Sequence, residues 1–487
     1  MIPSLPFPNR SRWAAFSVLC AGMLMIVIDG TIVNVALPSI QRELDFSESA
    51  LAWVVNAYLI PFGGVLLLAG RMGDLIGRRR IFIAGLAVFT VASTLCGLSQ
   101  TQGMLIAARL VQGVGGGMTS SVILGMVVTL FPGRREQARA IGVIAFICSA
   151  GGSVGLLMGG VLTEAASWHG IFFVNLPIGI AATVLALRLL EPERGIGLAQ
   201  GADLPGAALV TTALMLGVYT IAEVPDNGWG SPRTLILGGV ALALLAGFLV
   251  RQTTAATPLL PLAIFRSRSI SGANVIMVLA VAGMFGTFFI GALYLRLVLG
   301  YGPLQIGLAF LPVAVSMGAI SFRISAQVNT RFGARPVLIV GLAMIAVGLA
   351  AFGRGPAQDG YLVNVLPSML LLGIGGGLAF PAVTSLGMSG ATADNSGLVS
   401  GLVNTTQQVG GSLGLAVLAT LTASRTQSLT LAGAGGGAAL TGGYLFGFAV
   451  GALFAAVAIV VAVLALPAEA VEPEAETEDG EACPEAA

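Results

Sequence analysis

An aspartate, Asp29, interrupts a long apolar run from Trp13 to Leu37, in the stretch I-D-G-T-I-V-N-V-A-L-P at residues 28–38. A carboxylate at membrane depth is costly while charged, so an ionisable group there is a functional residue by default. The chemistry open to it is reversible protonation. Its candidate partner is Arg109, which opens R-L-V-Q-G-V-G-G-G and shares one helical face with Gln112, Gly113 and Gly116. On two antiparallel helices rising 1.5 Å per residue, Asp29 and Arg109 both lie roughly 9–12 Å below the outer surface. They are expected to share a layer.

Other chemistries are excluded by what is missing. All 23 basic residues are arginine, so a Walker-type phosphate loop, which needs its lysine, is absent, and with it ATP-driven pumping by this chain. The single histidine, His169, and four scattered cysteines (Cys20, Cys96, Cys148, Cys483) make neither a zinc site nor a disulfide framework. The glycine string after Gln112 is no nucleotide fingerprint, because no strand precedes it.

The elements that position these residues are membrane spans. Of 487 residues, 56% are hydrophobic and only 9% charged, with a mean hydropathy of +0.94; a soluble surface of this size needs far more charge. Eight of the 22 acids follow Pro467, so the body is basic and its basic side is expected to face the anionic inner leaflet. About 20 apolar residues cross a bilayer core. Runs of that kind occur at 13–37, 51–70, 81–98, 104–130, 140–163, 171–190, 205–223, 233–250, 270–298, 303–322, 336–353, 361–386, 397–422 and 442–466, fourteen in all. The first is too long for a signal peptide and lacks a convincing cleavage site. The segment Gly70 to Arg80, G-R-M-G-D-L-I-G-R-R-R, is expected to be an interhelical loop, and its four arginines mark the cytoplasmic face. Counting from there puts Arg10, Arg12, Arg134, Arg135, Arg139, Arg188, Arg194, Arg251, Arg266, Arg268, Arg323, Arg331 and Arg335 inside as well. Only Arg42, Arg233, Arg354 and Arg425 fall in outer loops.

The chain repeats itself. A-G-G-S-V-G-L at 150–156 recurs as V-G-G-S-L-G-L at 409–415, and G-V-G-G-G at 113–117 recurs as G-I-G-G-G at 373–377. A worn copy of the basic segment, Arg331-Phe332-Gly333-Ala334-Arg335, has Thr330 where Asp74 would be. Spans one to six and nine to fourteen are thus read as two copies of a six-helix unit, with spans seven and eight between them. The expected organisation is a cytoplasmic N-terminus (1–12), a six-helix bundle (13–190), a two-helix linker (191–268), a second bundle (269–466) and an acidic, disordered cytoplasmic tail (467–487). The repeat offset maps Asp29 onto Phe288 or Phe289, leaving the second half without a matching acid.

These motifs resemble those of the major facilitator superfamily, and the 6 + 2 + 6 arrangement resembles its fourteen-span drug:proton antiporters. Gly70, Gly73, Asp74, Gly77 and Arg78 match the family's loop between spans two and three, which the resemblance makes a gate on the inward side. The stretch 28–38, with Asn34 and Pro38, resembles its first-span signature, and Arg109 to Gly117 its fourth-span motif. Gly142, Gly151, Gly155, Gly159 and Gly160 resemble its helix-packing antiporter motif, with Leu156 in place of the motif's proline. Phe172, Phe173, Asn175, Pro177 and Gly179 keep the family pattern, whereas Trp168-His169-Gly170 departs from it, as do Arg296 and Gln407.

The resemblance implies an all-α major facilitator fold that exports hydrophobic, possibly cationic small molecules, such as drugs or antibiotics, in exchange for protons. Asp29 and Arg109 are expected to couple the proton. Asn34, Gln112, Phe285, Phe289, Tyr294, Asn404 and Gln408 are expected to line the substrate cavity. The expected setting is the inner (plasma) membrane with both termini cytoplasmic, lipid as surroundings, and a proton gradient in place of a cofactor, ATP, nucleic acid, metal or obligate protein partner. A metabolite exporter or symporter is the first alternative, and a membrane-embedded enzyme on lipid-linked substrates the second.

Overall fold

The computed structural model describes residues 9–131, 134–192, 195, 203–256, 258–352, 360–389 and 396–466; the expected tail, and residues 1–8 of the N-terminus, lie outside them. Every regular element among the described residues is helical, as lipid requires of a chain that must satisfy its own backbone. In order these are α1 (Asn9–Leu44), α2 (Glu48–Ile76), α3 (Arg78–Gly97), α4 (Gln102–Leu130), α5 (Arg134–Ala165), the short α6 (Gly170–Phe173), α7 (Asn175–Leu189), α8 (Leu204–Ala222), the short α9 (Val224–Asn227), α10 (Pro232–Thr254), α11 (Arg268–Leu297), α12 (Pro303–Arg323), α13 (Ser325–Phe332), α14 (Ala334–Ala351), the short α15 (Gly360–Asn364), α16 (Leu366–Ser389), α17 (Ser396–Leu431) and α18 (Gly436–Ala465). Eleven helices of the described residues are long and apolar enough to cross a membrane. The protein is multi-pass.

Polar caps set where several helices begin. Ser47, Thr101, Asp203, Ser231 and Ser267 each accept a backbone N–H from the first turn of the helix that follows, satisfying donors that have no partner within the helix. Helices also outlast the apolar runs that predicted them. The Gly70–Arg80 segment is not a loop: α2 continues to Ile76, α3 begins at Arg78, and Gly77 alone breaks the helix. Gly77 has φ 103°, a conformation that side chains with a Cβ disfavour, so one residue suffices to reverse the chain. Gly333 repeats the device between α13 and α14, with φ 82°. The arginine two residues beyond each glycine then ties its helix to the last helix of its half. Arg79 donates to the Leu187 carbonyl at 2.7 Å, and Arg335 donates to those of Ala462 and Val463 at 3.2 and 2.5 Å.

The two halves share one packing scheme. α4 lies against α2 and α3 and α5 against α1, just as α16 lies against α12 and α14 and α17 against α11. The halves meet where α5 packs on α12 and α2 on α17. Glycines allow both crossings: a Cβ on Gly160 would sit 2.8 Å from Leu304 Cα, and one on Gly63 3.0 Å from Gln408 Cβ. α8 covers the α2–α17 seam from outside. Ile60, Val218 and Ala416 form a small core there, and the Thr420 hydroxyl donates to the Ile221 carbonyl at 3.0 Å. α10 packs on α8 and presents Ile236, Leu242 and Val250, each more than 60% exposed. Such a face is soluble only in lipid.

A polar knot fastens this helix pair at its arginine-rich end. Asp203 is buried and accepts from Arg251 Nε at 2.6 Å, Gln252 Nε2 at 2.9 Å and the Gly206 N–H at 3.0 Å. Burial by itself pushes its carboxyl up; hydrogen bonds from Arg251, Gln252 and Gly206, with the Arg251 charge, outweigh burial and hold it below the usual carboxylate value.

Candidate functional site

Asp29 and Arg109 meet inside the first half. Arg109 Nη1 lies 2.7 Å from Asp29 Oδ2, with the side chains 1% and 0% exposed. The second carboxylate oxygen accepts from Gln112 Nε2 at 2.8 Å and Asn175 Nδ2 at 2.9 Å. Arg109 also donates from Nε to the Val54 carbonyl at 2.9 Å and from Nη1 to Gln112 Oε1 at 2.8 Å. Its guanidinium lies 4.3 Å from the centre of the Tyr58 ring, within cation–π range. Asn175 is steadied in turn by Ser93 Oγ at 3.0 Å, and Ser93 donates to the Phe172 carbonyl at 2.9 Å. Six helices, α1, α2, α3, α4, α6 and α7, supply these contacts.

The glycines of α4 are what bring the helices close enough. A Cβ on Gly113 would strike the Tyr58 carbonyl, one on Gly115 would lie 2.5 Å from the Phe89 nitrogen, and one on Gly117 2.7 Å from the Phe62 oxygen. Gly151, Gly155 and Gly159 do the same for α5 against α1, where Cβ atoms would meet Val27, Thr31 and the Ile32 carbonyl. The side-chain environment at Gly142 lies outside the described residues.

The carboxylate faces three donors, one of them a cation, and hydrogen bonds of that charge-assisted kind are the strong ones. A proton taken up by Asp29 removes the charge that holds Arg109 Nη1, while Arg109 keeps Val54 and Gln112. Such a pair is poor evidence of stability, because desolvation offsets much of its attraction.

The other expected residues are dispersed. Gln112 belongs to the ion cluster rather than to a cavity wall. Asn34, half-buried, donates to the Gly30 carbonyl of its own helix at 3.2 Å. Phe285 is half-buried beside Gly411 and Phe289 is buried. Tyr294 is 1% exposed and packs edge-on against Phe352, Tyr444 and Phe448; it is part of the second half's core, not of a cavity, because aromatic neighbours surround it. Gln408 packs on Gly63, and Asn404 is exposed. Arg296 donates to the Tyr301 carbonyl at 2.9 Å. In the Gly70–Arg78 motif, Gly73 lets α2 approach Val122, Gly70 lies opposite Ser121, and Arg78 donates to the Gly125 carbonyl and Thr129 Oγ1 of α4 at 3.1 and 3.2 Å. The side chain of Asp74 lies outside the described residues. Asn175 was legible only as part of a motif, and Ser93 carried no signal.

Glycine contacts also correct the register of the repeat. Gly155 packs on the backbone of Ile28, and its copy Gly414 packs on that of Ala282. Asp29 therefore corresponds to Gly283, not to Phe288 or Phe289, because the segments joining the helices differ in length between the halves. By the same means Tyr58 corresponds to Val313, since Gly113 and Gly373 rest on their carbonyls. Gly85 and Gly341, each against the fourth helix of its half, align Ser93 with Leu349. The arginines on Leu187 and Val463 align Asn175 with Gly451. Arg109 and Gln112 correspond to Met369 and Leu372. The first half's ion cluster thus has an entirely apolar counterpart.

A two-half bundle of membrane-length helices that encloses a buried ion pair is the frame against which known proteins are compared. The chain belongs to the major facilitator superfamily, whose model matches residues 19–415. It is 36% identical to the puromycin resistance protein of Streptomyces alboniger, covering 94% of this chain and 91% of that one. It is 37% identical to the cephamycin export protein of Amycolatopsis lactamdurans, covering 85% of each, and 34% identical to the tetracenomycin C resistance and export protein of Streptomyces glaucescens, covering 85% and 76%. Among solved structures, a bacterial homologue of the human lysosomal transporter Spinster shares the fold, with a TM-score of 0.66 at 14% identity over 94% of this chain and 97% of that one.

Proposed function

We propose that this protein exports hydrophobic small molecules, antibiotics among them, from the cell in exchange for protons. The observation that carries the reading is the desolvated Asp29–Arg109 pair, built into one half of a two-half bundle. Relatives named for resistance to or export of puromycin, cephamycin and tetracenomycin C support the substrate class. Their variety supports antibiotic export in general over any one compound.

In this reading the chain has fourteen spans. To the eleven of suitable length and composition it adds α2, α5 and α17, of 29, 32 and 36 residues, each long enough at 1.5 Å per residue. An even number, with the arginine-rich ends inside, puts both termini in the cytoplasm of a cell whose plasma membrane holds the protein. The halves 13–190 and 269–466 rock about the α5–α12 and α2–α17 seams, and 191–268 links them. Energy comes from the proton gradient, about 2.3 kcal/mol per charge per 100 mV, with no cofactor and no ATP. Asp29 takes a proton from the outer side, frees Arg109, and returns the proton inward as the pair re-forms. Mutual exclusion between proton and substrate-bound states suffices for coupling.

The test is substrate-induced proton release from detergent-solubilised protein, with a panel of dyes and antibiotics. Asp29→Asn, which holds the site in its uncharged form, is expected to bind substrate but release no proton. Release equal to the parent protein's sinks the mechanism.

A further inference from the structure

The crossing of the two halves at α2 and α17 encloses polar groups that it leaves without partners. Asn56 of α2 is 0% exposed, and among the described residues neither its Nδ2 nor its Oδ1 has a hydrogen-bond partner. It shares a helical face with Trp53, Ile60 and Gly63. Trp53 and Ile60 belong to the small core that includes Val218 of α8 and Ala416 of α17, and Gly63 lies against Gln408 and the Thr405 carbonyl of α17. The amide therefore points into the seam between the halves. From the other side of that seam the buried Thr405 hydroxyl is likewise without a partner among the described residues. The equivalent place on the second crossing is apolar. With Tyr58 aligned to Val313, Asn56 corresponds to Leu311, one turn on from Gly307, which rests on the Leu156 carbonyl of α5.

We infer that Asn56 is a built-in wedge, a side chain that penalises closure of the α2–α17 seam and so raises the population of the conformation in which the seam is parted. The inference rests on the rocking of the halves in the reading above and names a residue that sets its balance. A primary amide offers two donors and an acceptor, and a group shut away with none of them used bears its full desolvation penalty. Closure incurs that penalty and opening returns it. Asn56 lies nearer Glu48 than Ile76 on α2, on the stretch away from the arginines, so parting of the seam there admits water from outside. A difference in free energy between the two conformations is what a shift of population requires. Leucine at the equivalent place carries no such penalty, which confines the wedge to one of the two crossings.

The reporter is Leu59→Cys, one turn from Asn56, where Leu59 is 4% exposed and lies against Gly411. Its reaction with an impermeant maleimide in right-side-out vesicles reads how often the seam opens outward, and protein without Leu59→Cys is the blank. Adding Asn56→Leu is expected to slow labelling by about 5- to 150-fold, the factor for ~1–3 kcal/mol, while the amount of folded protein is kept. Asn56→Ala, which removes the amide without adding volume, is the second variant should leucine fail to fold, and is expected to slow labelling in the same direction. Labelling at or above the parent's rate in the variants that fold overturns the wedge. So does failure of both to fold, which would make the amide an anchor. A parent that never labels refutes the rocking itself, and the wedge with it. Substrate-induced proton release from the same parent protein reports separately on exchange: labelling that responds to Asn56 without proton release keeps the wedge and refutes coupling, and release with labelling indifferent to Asn56 does the reverse.

Discussion

Replacing Arg109 with methionine gives the first half the residue its counterpart carries at Met369. The carboxylate of Asp29, at 0% exposure, would then keep only the neutral amides of Gln112 and Asn175. Breaking a buried pair from one side costs about 3–5 kcal/mol, because the remaining charge is uncompensated. Asp29→Asn does the same from the other side, leaving Arg109 buried on the Val54 carbonyl and Gln112 Oε1. The double variant removes both charges and is expected to be destabilised by less than the sum of the singles, by about 3 kcal/mol, the upper range for coupled neighbours. Unfolding can be followed in detergent with a thiol-reactive dye, since Cys96 is a buried free thiol released on opening. All three variants should lose substrate-induced proton release, so stability and coupling separate only in the double. Additivity within about 0.5 kcal/mol would mean that the two side chains are not an energetic unit, and the proposed switch would be refuted.

Gly155→Leu is expected to force α5 away from α1, because even a Cβ there strikes Thr31 and lies 3.0 Å from the Ile28 carbonyl oxygen; overpacking of this kind costs about 1–3 kcal/mol or more, read as a lower unfolding temperature, and an unchanged temperature would deny the close crossing. The Asp203 knot has a depressed carboxyl, so its contribution is complete above the ordinary aspartate value of about 3.9 and is lost as pH falls through its lower folded value. Asp203→Asn should remove that acid-side loss, seen as a flatter stability profile at low pH. Cysteines placed at Ser47 and Gly228 should react with an impermeant maleimide from outside the cell, and one at Thr254 should not; the reverse pattern inverts the topology.

Much of the architecture is local and so was legible in the chain. Lipid leaves the backbone only helices or closed barrels, runs of about 20 apolar residues select helices, and those runs with the recurring glycine motifs placed most of them. The fixed rise of a helix was enough to put Asp29 and Arg109 at one depth, where the structure joins them at 2.7 Å. What lies across helices was not legible. Tyr58 and Val54 join the site through packing against α4, and Ser93 through Asn175 of α7; no spacing along the chain marks them. The helical course of Gly70–Ile76 depends on how far α2 outlasts the apolar run, and an aromatic side chain such as Tyr294 reads alike in a cavity wall and in a core. The register of the repeat shows the same limit most sharply. A single sequence offset carried Asp29 to a phenylalanine, whereas contacts of Gly155 and Gly414 carry it to Gly283. Unequal connecting segments shift each helix by a different number of residues. Only atoms in contact, whose close approach tolerates no such slip, determine which residues occupy equivalent places.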